Sequence, residues 1–407
     1  MRTYRREPGN GSKPRIARRA HLGLLAAVVL LAASACNDGG APQGETPSAT
    51  AAPSQSETPS ATAVAPTAVT PTAAGEPSPS ATEGTLALVA ESASAEQGVY
   101  LLDAEGGEPR LLIAQEAGWP RWSPDGQHLA FLGPASQSLP EGAGAGAELF
   151  VINADGTELR TVAVVGGLRS YSAGMAWSPD GRTIAFESTS RSDEVTTGIE
   201  VVDVDSADTT ELAPGHPGFM PTWSPDGSRI AFVSHEGKAS ADVDVDIYVM
   251  DADGSNVHRL VKNEGADVAP TWSPDGRRIA WWVRSAEGPP HHLFVSDVEE
   301  PEARELGTGS RPAWSPDSKS LAFLDQAEDG NIEVFVLDVD SDQRVSVTAD
   351  PAQDVWLAWS PYARQIVFVS KRDNEQGEIY VVDADGANLR RLTNNDLAET
   401  MLDWSPP

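Results

Sequence analysis

The chain has 407 residues, with 60 Asp and Glu against 29 Lys and Arg, and a formal net charge of −31 at pH 7. Seven of the basic residues and one acid fall within residues 1–35, so residues 36–407 carry −37. A surface this acidic repels phosphate backbones and anionic lipid headgroups, which excludes nucleic acid as an expected partner. The sequence holds one cysteine, so the folded part must be stable through its core without disulfides.

Residues 1–35 have the features of an export signal. A basic stretch ends at Arg18-Arg19 and precedes the apolar run Leu22–Ala35, which is too short to span a bilayer and typical of a signal peptide. The run ends Leu-Ala-Ala-Ser-Ala before Cys36, and this arrangement resembles the lipobox of bacterial lipoproteins. The resemblance implies that Cys36 is acylated, while ordinary cleavage after Ala35 is the alternative. We expect a membrane-anchored lipoprotein on the periplasmic or extracellular side of a bacterial envelope.

Residues 36–83 consist almost wholly of Ala, Pro, Ser, Thr, Gly and Glu, with no aromatic residue. Such a segment cannot offset its conformational entropy by burying apolar side chains. The composition therefore predicts a disordered tether between the anchor and a folded domain that covers residues 84–407.

A Trp-Ser-Pro motif recurs in the folded part at intervals of 42 to 55 residues. Its tryptophans are Trp122, Trp177, Trp223, Trp272, Trp314, Trp359 and Trp404. In the third copy, strand-forming residues end at Trp223 and resume as Arg229–Val233, Asp246–Asp251 and Val257–Val261, separated by Pro-Asp-Gly and Asp-Gly turns. Four antiparallel strands at this period are typical of one blade of a β-propeller.

The two ends of the folded part complement each other. Residues 85–113 contain the second, third and fourth strands of a unit, and Thr400–Trp404 supplies a first strand. We therefore predict an all-β fold, a monomeric seven-bladed β-propeller whose N- and C-terminal strands share the closing blade.

The repeated pattern also resembles a known family. Trp-Ser-Pro-Asp-Gly, then Ile-Ala-Phe, Ile-Tyr-Val, Asp-Ala-Asp-Gly and Arg-Leu, is similar to the WD40-like (PD40) repeats of TolB-type propellers, most clearly in Arg229–Leu260 and Ile366–Thr393. The resemblance implies the scaffold and a tendency toward protein or carbohydrate binding. TolB carries an α/β domain ahead of its propeller, where this chain has the low-complexity tether. Related propellers precede the catalytic domains of prolyl-oligopeptidase-like proteases or stand alone as lyases.

Motifs that carry chemistry are missing from the sequence. It contains no Gly-x-Ser-x-Gly elbow, Walker loop, dinucleotide fingerprint or His-Glu-x-x-His, so we expect no catalytic residues, no cofactor and no metal. His291 and His292 would face opposite ways on a strand and could not easily bind one metal ion. The segments Asp203–Asp205, Asp242–Asp246 and Asp338–Asp340 are interpreted as turn formers. A calcium ion held in the central channel by acids of several blades stays open as an alternative.

The tryptophans divide into two groups. Those of the motif occupy a fixed place at the end of each first strand and are expected to wedge between blades. Trp119, Trp281, Trp282 and Trp356 are better candidates for exposure, although structural packing is favoured for the adjacent pair. Trp281 replaces the usual Phe, and Trp282 should face the other side of its sheet.

These observations predict an exported, lipid-anchored, non-enzymatic module that binds or scaffolds a protein or glycan partner at a bacterial envelope. Partners would meet the loops on one face of the ring or the mouth of its channel, with Gly133–Glu148 as a candidate loop. The sequence assigns no binding residue. A polysaccharide lyase or glycosidase and a TolB-like subunit of an envelope complex are the alternatives.

Overall fold

The structure is a computed structural model that describes residues 84–92, 97–135, 146–167, 174–189, 197–235, 245–262, 264–285, 288–362 and 364–406. Cys36, the export signal and the tether lie outside the described residues, so these three remain predictions. The centre of the Gly133–Glu148 loop, together with Asp242 and Asp244, also lies outside them.

The described residues form 28 strands in seven four-stranded antiparallel sheets. The strands are β1 (Thr85–Glu91), β2 (Gln97–Asp103), β3 (Arg110–Ile113), β4 (Gly118–Trp122), β5 (His128–Pro134), β6 (Gly146–Asn153), β7 (Arg160–Gly167), β8 (Met175–Trp177), β9 (Thr183–Thr189), β10 (Thr197–Asp203), β11 (Thr209–Leu212), β12 (Phe219–Trp223), β13 (Arg229–Ser234), β14 (Asp246–Asp251), β15 (His258–Arg259), β16 (Ala266–Trp272), β17 (Arg278–Arg284), β18 (His292–Asp297), β19 (Arg304–Thr308), β20 (Ser310–Trp314), β21 (Ser320–Gln326), β22 (Ile332–Asp338), β23 (Arg344–Ser346), β24 (Asp354–Trp359), β25 (Gln365–Ser370), β26 (Glu378–Asp383), β27 (Arg390–Arg391) and β28 (Ala398–Trp404).

Each sheet is one blade of a propeller. Blades 1 to 6 are β4–β7, β8–β11, β12–β15, β16–β19, β20–β23 and β24–β27, and blade 7 is the composite sheet in the order β28-β1-β2-β3. Strand β28 pairs with β1 from Leu86 opposite Trp404 to Glu91 opposite Ala398, with one register shift between these two pairs. The prediction of seven blades with a shared closing blade is therefore confirmed. No helix with the length and apolarity to cross a membrane occurs in the part of the chain that the structure describes.

The Ser-Pro-Asp-Gly turn connects the first and second strands of a blade. In blade 1 the amide of Gly126 donates to the carbonyl of Ser123 (2.9 Å), and the Ser123 hydroxyl donates to Asp125 Oδ1 (2.6 Å). Gly126 has φ +66°, a left-handed conformation that glycine adopts without strain. In blade 5 the same place is held by Ser318 with φ +60°, and its Oγ accepts the amide of Asp275 (3.0 Å) in the neighbouring blade.

The core lies between the blades. The second and third strands are buried along nearly their whole length, as in β13 and β14, because a neighbouring blade covers each face of the sheet. This explains continuous apolar runs such as Ile-Ala-Phe-Val in place of an alternating pattern. Three motif tryptophans donate a hydrogen bond to the preceding blade: Trp177 to the carbonyl of Arg121 (3.1 Å), Trp272 to that of Thr222 (3.2 Å) and Trp314 to that of Thr271 (3.1 Å). Six of the seven motif tryptophans are buried. Their predicted structural role is confirmed.

Candidate functional site

The ring has two unlike faces. One face carries the short Ser-Pro-Asp-Gly and Asp-Gly turns, and the other carries the loops between second and third strands and the connections from blade to blade. We call the second the connection face. The first strands of the blades contact each other around the ring and so lie innermost, next to the channel. Each innermost strand therefore begins at the connection face.

Six innermost strands contain the same irregularity, three residues before the motif tryptophan. The pairing register shifts there, and the residue adopts φ between 49° and 56°. We call these residues the inner ring: Trp119, Met220, Ala269, Arg311, Trp356 and Met401. Such a bulge turns a side chain away from its normal strand direction. Blade 2 has Gly174 at this place, where an added Cβ would lie 2.4 Å from the Cα of Met220.

Side chains of the inner ring reach the next blade. Met220 Sδ lies 3.2 Å from the amide nitrogen of Ala269, and Met401 Sδ lies 3.2 Å from that of Trp119. The guanidinium of Arg311 stacks over the ring of Trp356, 4.3 Å from its centroid, within the range of a cation–π contact. The inner ring therefore joins neighbouring blades through aromatic, sulfur and guanidinium groups.

A small cleft with a volume of about 60 Å³ opens on the connection face across blades 4, 5 and 6. Arg311 and Trp356 belong to its lining. Its apolar walls are Pro289, Pro290, Leu324, Ile332 and Val355. A concave apolar surface with a few convergent polar groups is the usual form of a binding site.

Two buried carboxylates lie in the lining of the cleft. Asp325 Oδ2 accepts from Arg344 and from the hydroxyl of Thr308, each at 2.5 Å. Asp354 is fully buried, and its Oδ1 lies 3.4 Å from Arg372 Nη2, while its Oδ2 has no hydrogen-bond partner. Burial raises the pKa of Asp354 above its ordinary value, against the opposing effects of Ser370, Thr348 and Arg372. An unpartnered buried oxygen favours a ligand group that donates a hydrogen bond.

The two adjacent histidines point in different directions, as predicted. The His291 ring lies against Trp282, with centroids 4.8 Å apart, and its Nδ1 accepts the amide of Ser285 (3.3 Å). Burial lowers the pKa of His291, which keeps the ring neutral near pH 7. His292 Nδ1 lies 2.7 Å from Glu305 Oε1. Within the described ranges no group of three or more His, Cys, Asp or Glu side chains is arranged to hold a metal ion. The predicted lack of a cofactor and the alternative of a channel calcium ion both stay untested.

The four tryptophans that were candidates for exposure differ in burial and location. Trp119 and Trp356 are half-buried members of the inner ring. Trp281 is fully buried and stacks on Phe294 with centroids 5.8 Å apart. Trp282 lies on the opposite side of its sheet and is half-buried. The packing role expected for this adjacent pair is confirmed.

The acidic segments are partly as predicted. Asp203 Oδ1 accepts the amides of Asp205 (3.1 Å) and Ser206 (2.9 Å), and Asp338 Oδ1 accepts that of Ser341 (2.8 Å), so both form turns. The interpretation is wrong for Asp246. It begins a strand, is buried, and pairs with Arg259 (3.2 Å) on the neighbouring strand.

Reasoning from the sequence missed Arg311 and Asp354. The inner-ring position holds Trp, Met, Ala and Arg in different blades, so no shared residue type marks it. Asp354 lies five residues before its motif tryptophan, and Asp267 and Glu399 hold the same place in blades 4 and 7. That recurrence of buried acids is a signal that could have found it.

Comparison with known proteins agrees with this architecture. Residues 227–407 match the family model PD40, described as the TolB beta propeller domain. An uncharacterized protein of Agrobacterium fabrum is 30% identical over 168 residues, which are 40% of this chain and 52% of the relative. The alignment thus spans about half the length of that curated protein.

Similar solved structures include TolB, a lyase and the propeller domain of a protease. TolB from Acinetobacter baumannii superposes with TM-score 0.50 at 16% identity, covering 80% of this chain and 67% of its own. An oligogalacturonate lyase in complex with manganese superposes with a TM-score of 0.56 at 16% identity, and the alignment covers 73% of this chain and 85% of the lyase. The β-propeller domain of the Trilobed protease from Pyrococcus furiosus superposes with a TM-score of 0.57 at 15% identity, and the alignment covers 77% of this chain and 96% of that domain. Identities this low show the fold alone. The family match over residues 227–407 and the seven closed blades together support a TolB-type propeller fold.

Proposed function

We propose that this propeller is an exported, non-enzymatic binding module that holds a protein partner at the cleft on its connection face. One observation carries the proposal: the otherwise apolar cleft is lined by the stacked pair Arg311 and Trp356 and by Asp354, whose Oδ2 has no hydrogen-bond partner. Trp and Arg are the side chains that most often dominate the energy of protein interfaces. The ring acts as a monomeric scaffold that presents this cleft.

The chemistry of the cleft supports binding over catalysis. A general acid–base pair needs carboxyl groups that can exchange protons with a substrate. An arginine lies instead beside each of the two carboxyl groups, at 2.5 Å from Asp325 and at 3.4 Å from Asp354. The solved lyase and protease structures share the fold with this chain, and a fold hosts many activities.

Anchoring of the module to a membrane is the second part of the proposal, and it depends on Cys36. Replacing this residue tests it directly: Cys36→Ala should move the protein from the membrane fraction to the soluble exported fraction. A variant that stays in the membrane fraction would contradict lipidation.

Site-specific photo-crosslinking tests the binding role. A photoreactive residue at Gln353, which lines the cleft, should trap a defined envelope protein. The same residue at Gln127, an exposed glutamine in the turn on the opposite face, is the matched control. Trp356→Ala should reduce the cleft adduct at least tenfold, since truncation of a central aromatic residue commonly removes over 1.4 kcal/mol of binding energy.

Two results would overturn this proposal. Equal adducts from Gln353 and Gln127 would show that the cleft does not select a partner. Turnover of acidic or neutral polysaccharides by the purified protein, abolished by Asp354→Asn, would show a lyase or glycosidase instead.

A further inference from the structure

The strand that closes the ring carries a fully buried acid, Glu399 on β28. Its side chain reaches blade 6, where Oε2 accepts the hydroxyl of Thr393 (2.7 Å) and the amide of Ile379 (3.1 Å). Its Oε1 accepts the side-chain amide of Asn395 (2.9 Å). These donors are all neutral. The closing strand is therefore tied to the preceding blade by one carboxyl group.

A second fully buried acid, Glu378, begins β26 directly beside this contact. Its Oε1 accepts from Arg391 (2.8 Å), from the side chain of Asn374 (2.6 Å) and from the backbone amide of Asn395 (3.3 Å). Its Oε2 has no hydrogen-bond partner. Arg391 is shared, because it also pairs with Asp373 at 2.9 Å.

The charge balance of the pair is uneven. Glu378 is compensated by Arg391, whereas the charge of Glu399 is stabilised by neutral dipoles only. An uncompensated charge in a buried site favours the protonated form. Accordingly, burial raises the pKa of Glu399 to about 7, with the nearby charge of Glu378 acting in the same direction.

The other charged groups on elements packed against β28 are compensated or exposed. Glu91 ends β1 and is exposed to solvent. Asp354 at the start of β24 has Arg372 at 3.4 Å, and Asp403 near the end of β28 has Arg121 at 3.5 Å. Burial raises the pKa of Asp354 and of Asp403 against the effect of these arginines. Glu399 has only neutral donors, so it is the group on which proton uptake at the closing strand is expected to act.

We propose that Glu399 and Glu378 form a pH-dependent latch on the propeller, in which a proton taken up by Glu399 holds the closing strand and loss of that proton loosens it. The sign follows from linkage. Because the pKa is higher in the closed state than in an exposed chain, the stabilisation is complete below about pH 4.5 and is lost as the pH rises through about 7. With these two pKa values for Glu399, one in the closed state and one in the exposed chain, β28 should open about tenfold more often at pH 8 than at pH 6.

Hydrogen exchange followed by mass spectrometry tests the latch on the full chain. Exchange of β28 amides, corrected for intrinsic rates, is compared at pH 6 and pH 8 with that of β24, the corresponding strand of blade 6. In the wild type, the ratio of β28 to β24 exchange should rise about tenfold. Glu399→Gln should abolish the rise, because an amide cannot titrate. Glu333→Gln is the matched control, since Glu333 is a buried acid in blade 5 that bonds to Ser346 (2.5 Å), and it should keep the rise.

The wild-type measurement does not depend on any variant folding. An unchanged ratio of β28 to β24 exchange in the wild type overturns the proposal, and so does a rise that persists in Glu399→Gln. Glu378→Gln gives a further check, because removal of the neighbouring negative charge should move the midpoint of the wild-type transition to lower pH. A midpoint that does not move contradicts the role of Glu378.

Discussion

Replacing Gly174 by alanine tests the close contact of blades at the inner ring. An added Cβ would lie 2.4 Å from the Cα and 2.8 Å from the amide nitrogen of Met220, and 3.0 Å from Cδ of Pro221. All three atoms belong to the backbone or to a proline ring, so no flexible side chain can move aside. Gly174 does not adopt a left-handed conformation, so the substitution probes packing and not backbone strain.

The magnitude follows from the size of the overlap. An ordinary contact to Cβ is 3.4 Å or longer, so the first strands of blades 2 and 3 must separate by about 1 Å. Forced overpacking of this kind costs about 1–3 kcal/mol. For a domain of this size, each kcal/mol lowers Tm by roughly 2 °C, so we expect Gly174→Ala to lower Tm by about 2–6 °C.

Differential scanning calorimetry of the wild type and two variants measures the effect. Gly198→Ala is the matched control, because it lies in the same blade and its added Cβ would meet only Glu211 Oε1, at 3.8 Å. The free energy of unfolding of Gly198→Ala should stay within about 0.5 kcal/mol of the wild-type value. Equal Tm values for the two alanine variants would refute the close approach of blades 2 and 3.

Two further substitutions probe the core and the turns. Trp281→Ala removes a fully buried indole stacked on Phe294 and should destabilise the protein by about 3–5 kcal/mol, measured by urea unfolding, whereas a loss under 1 kcal/mol would place Trp281 outside the core. Asp226 receives hydrogen bonds from the Ser224 hydroxyl and from the amide and hydroxyl of Ser228, which lower its pKa to about 2. The charged Asp226 therefore stabilises the protein above about pH 4, and this stabilisation is lost as the pH falls toward 2. The difference in Tm between the wild type and Asp226→Asn should shrink over that range. A difference that grows would contradict the role of Asp226.

The fold could be predicted from the sequence because each blade repeats the same local chemistry. The Ser-Pro-Asp-Gly turn and the buried runs beside it recur with little change, and the composite blade follows from complementary ends. The inner ring could not be predicted, because its left-handed residues are Trp, Met, Ala and Arg, for which no sequence rule expects positive φ. Bulges at this place arise from the packing of seven strands around a channel.

Side-chain contacts between the third and fourth strands of a blade could have been predicted from the spacing of polar residues in the sequence. Glu378 bonds to Arg391, Asp246 to Arg259, and His292 to Glu305, each 13 residues apart. The order of the acid and its partner is reversed in the last pair, so the contact is kept while the residue types change. The same spacing explains why Asp246, interpreted as a turn former, is a buried ion-pair partner. The position of Asp354 could have been found from the recurrence of acids five residues before the motif tryptophan, whereas its unpartnered oxygen is seen only in the structure.

Closure of the ring by β28 and β1 is the central claim, and a disulfide across these strands tests it most directly. Glu91 lies directly opposite Ala398, and both are accessible enough for oxidation. In a Cys36→Ala background, Glu91→Cys with Ala398→Cys should form an intramolecular disulfide, since paired strand residues lie within disulfide reach. Glu91→Cys with Ala266→Cys, the equivalent alanine of blade 4, should not. Failure of the first pair to close, or equal closure of both pairs on non-reducing gels, would contradict the closed ring.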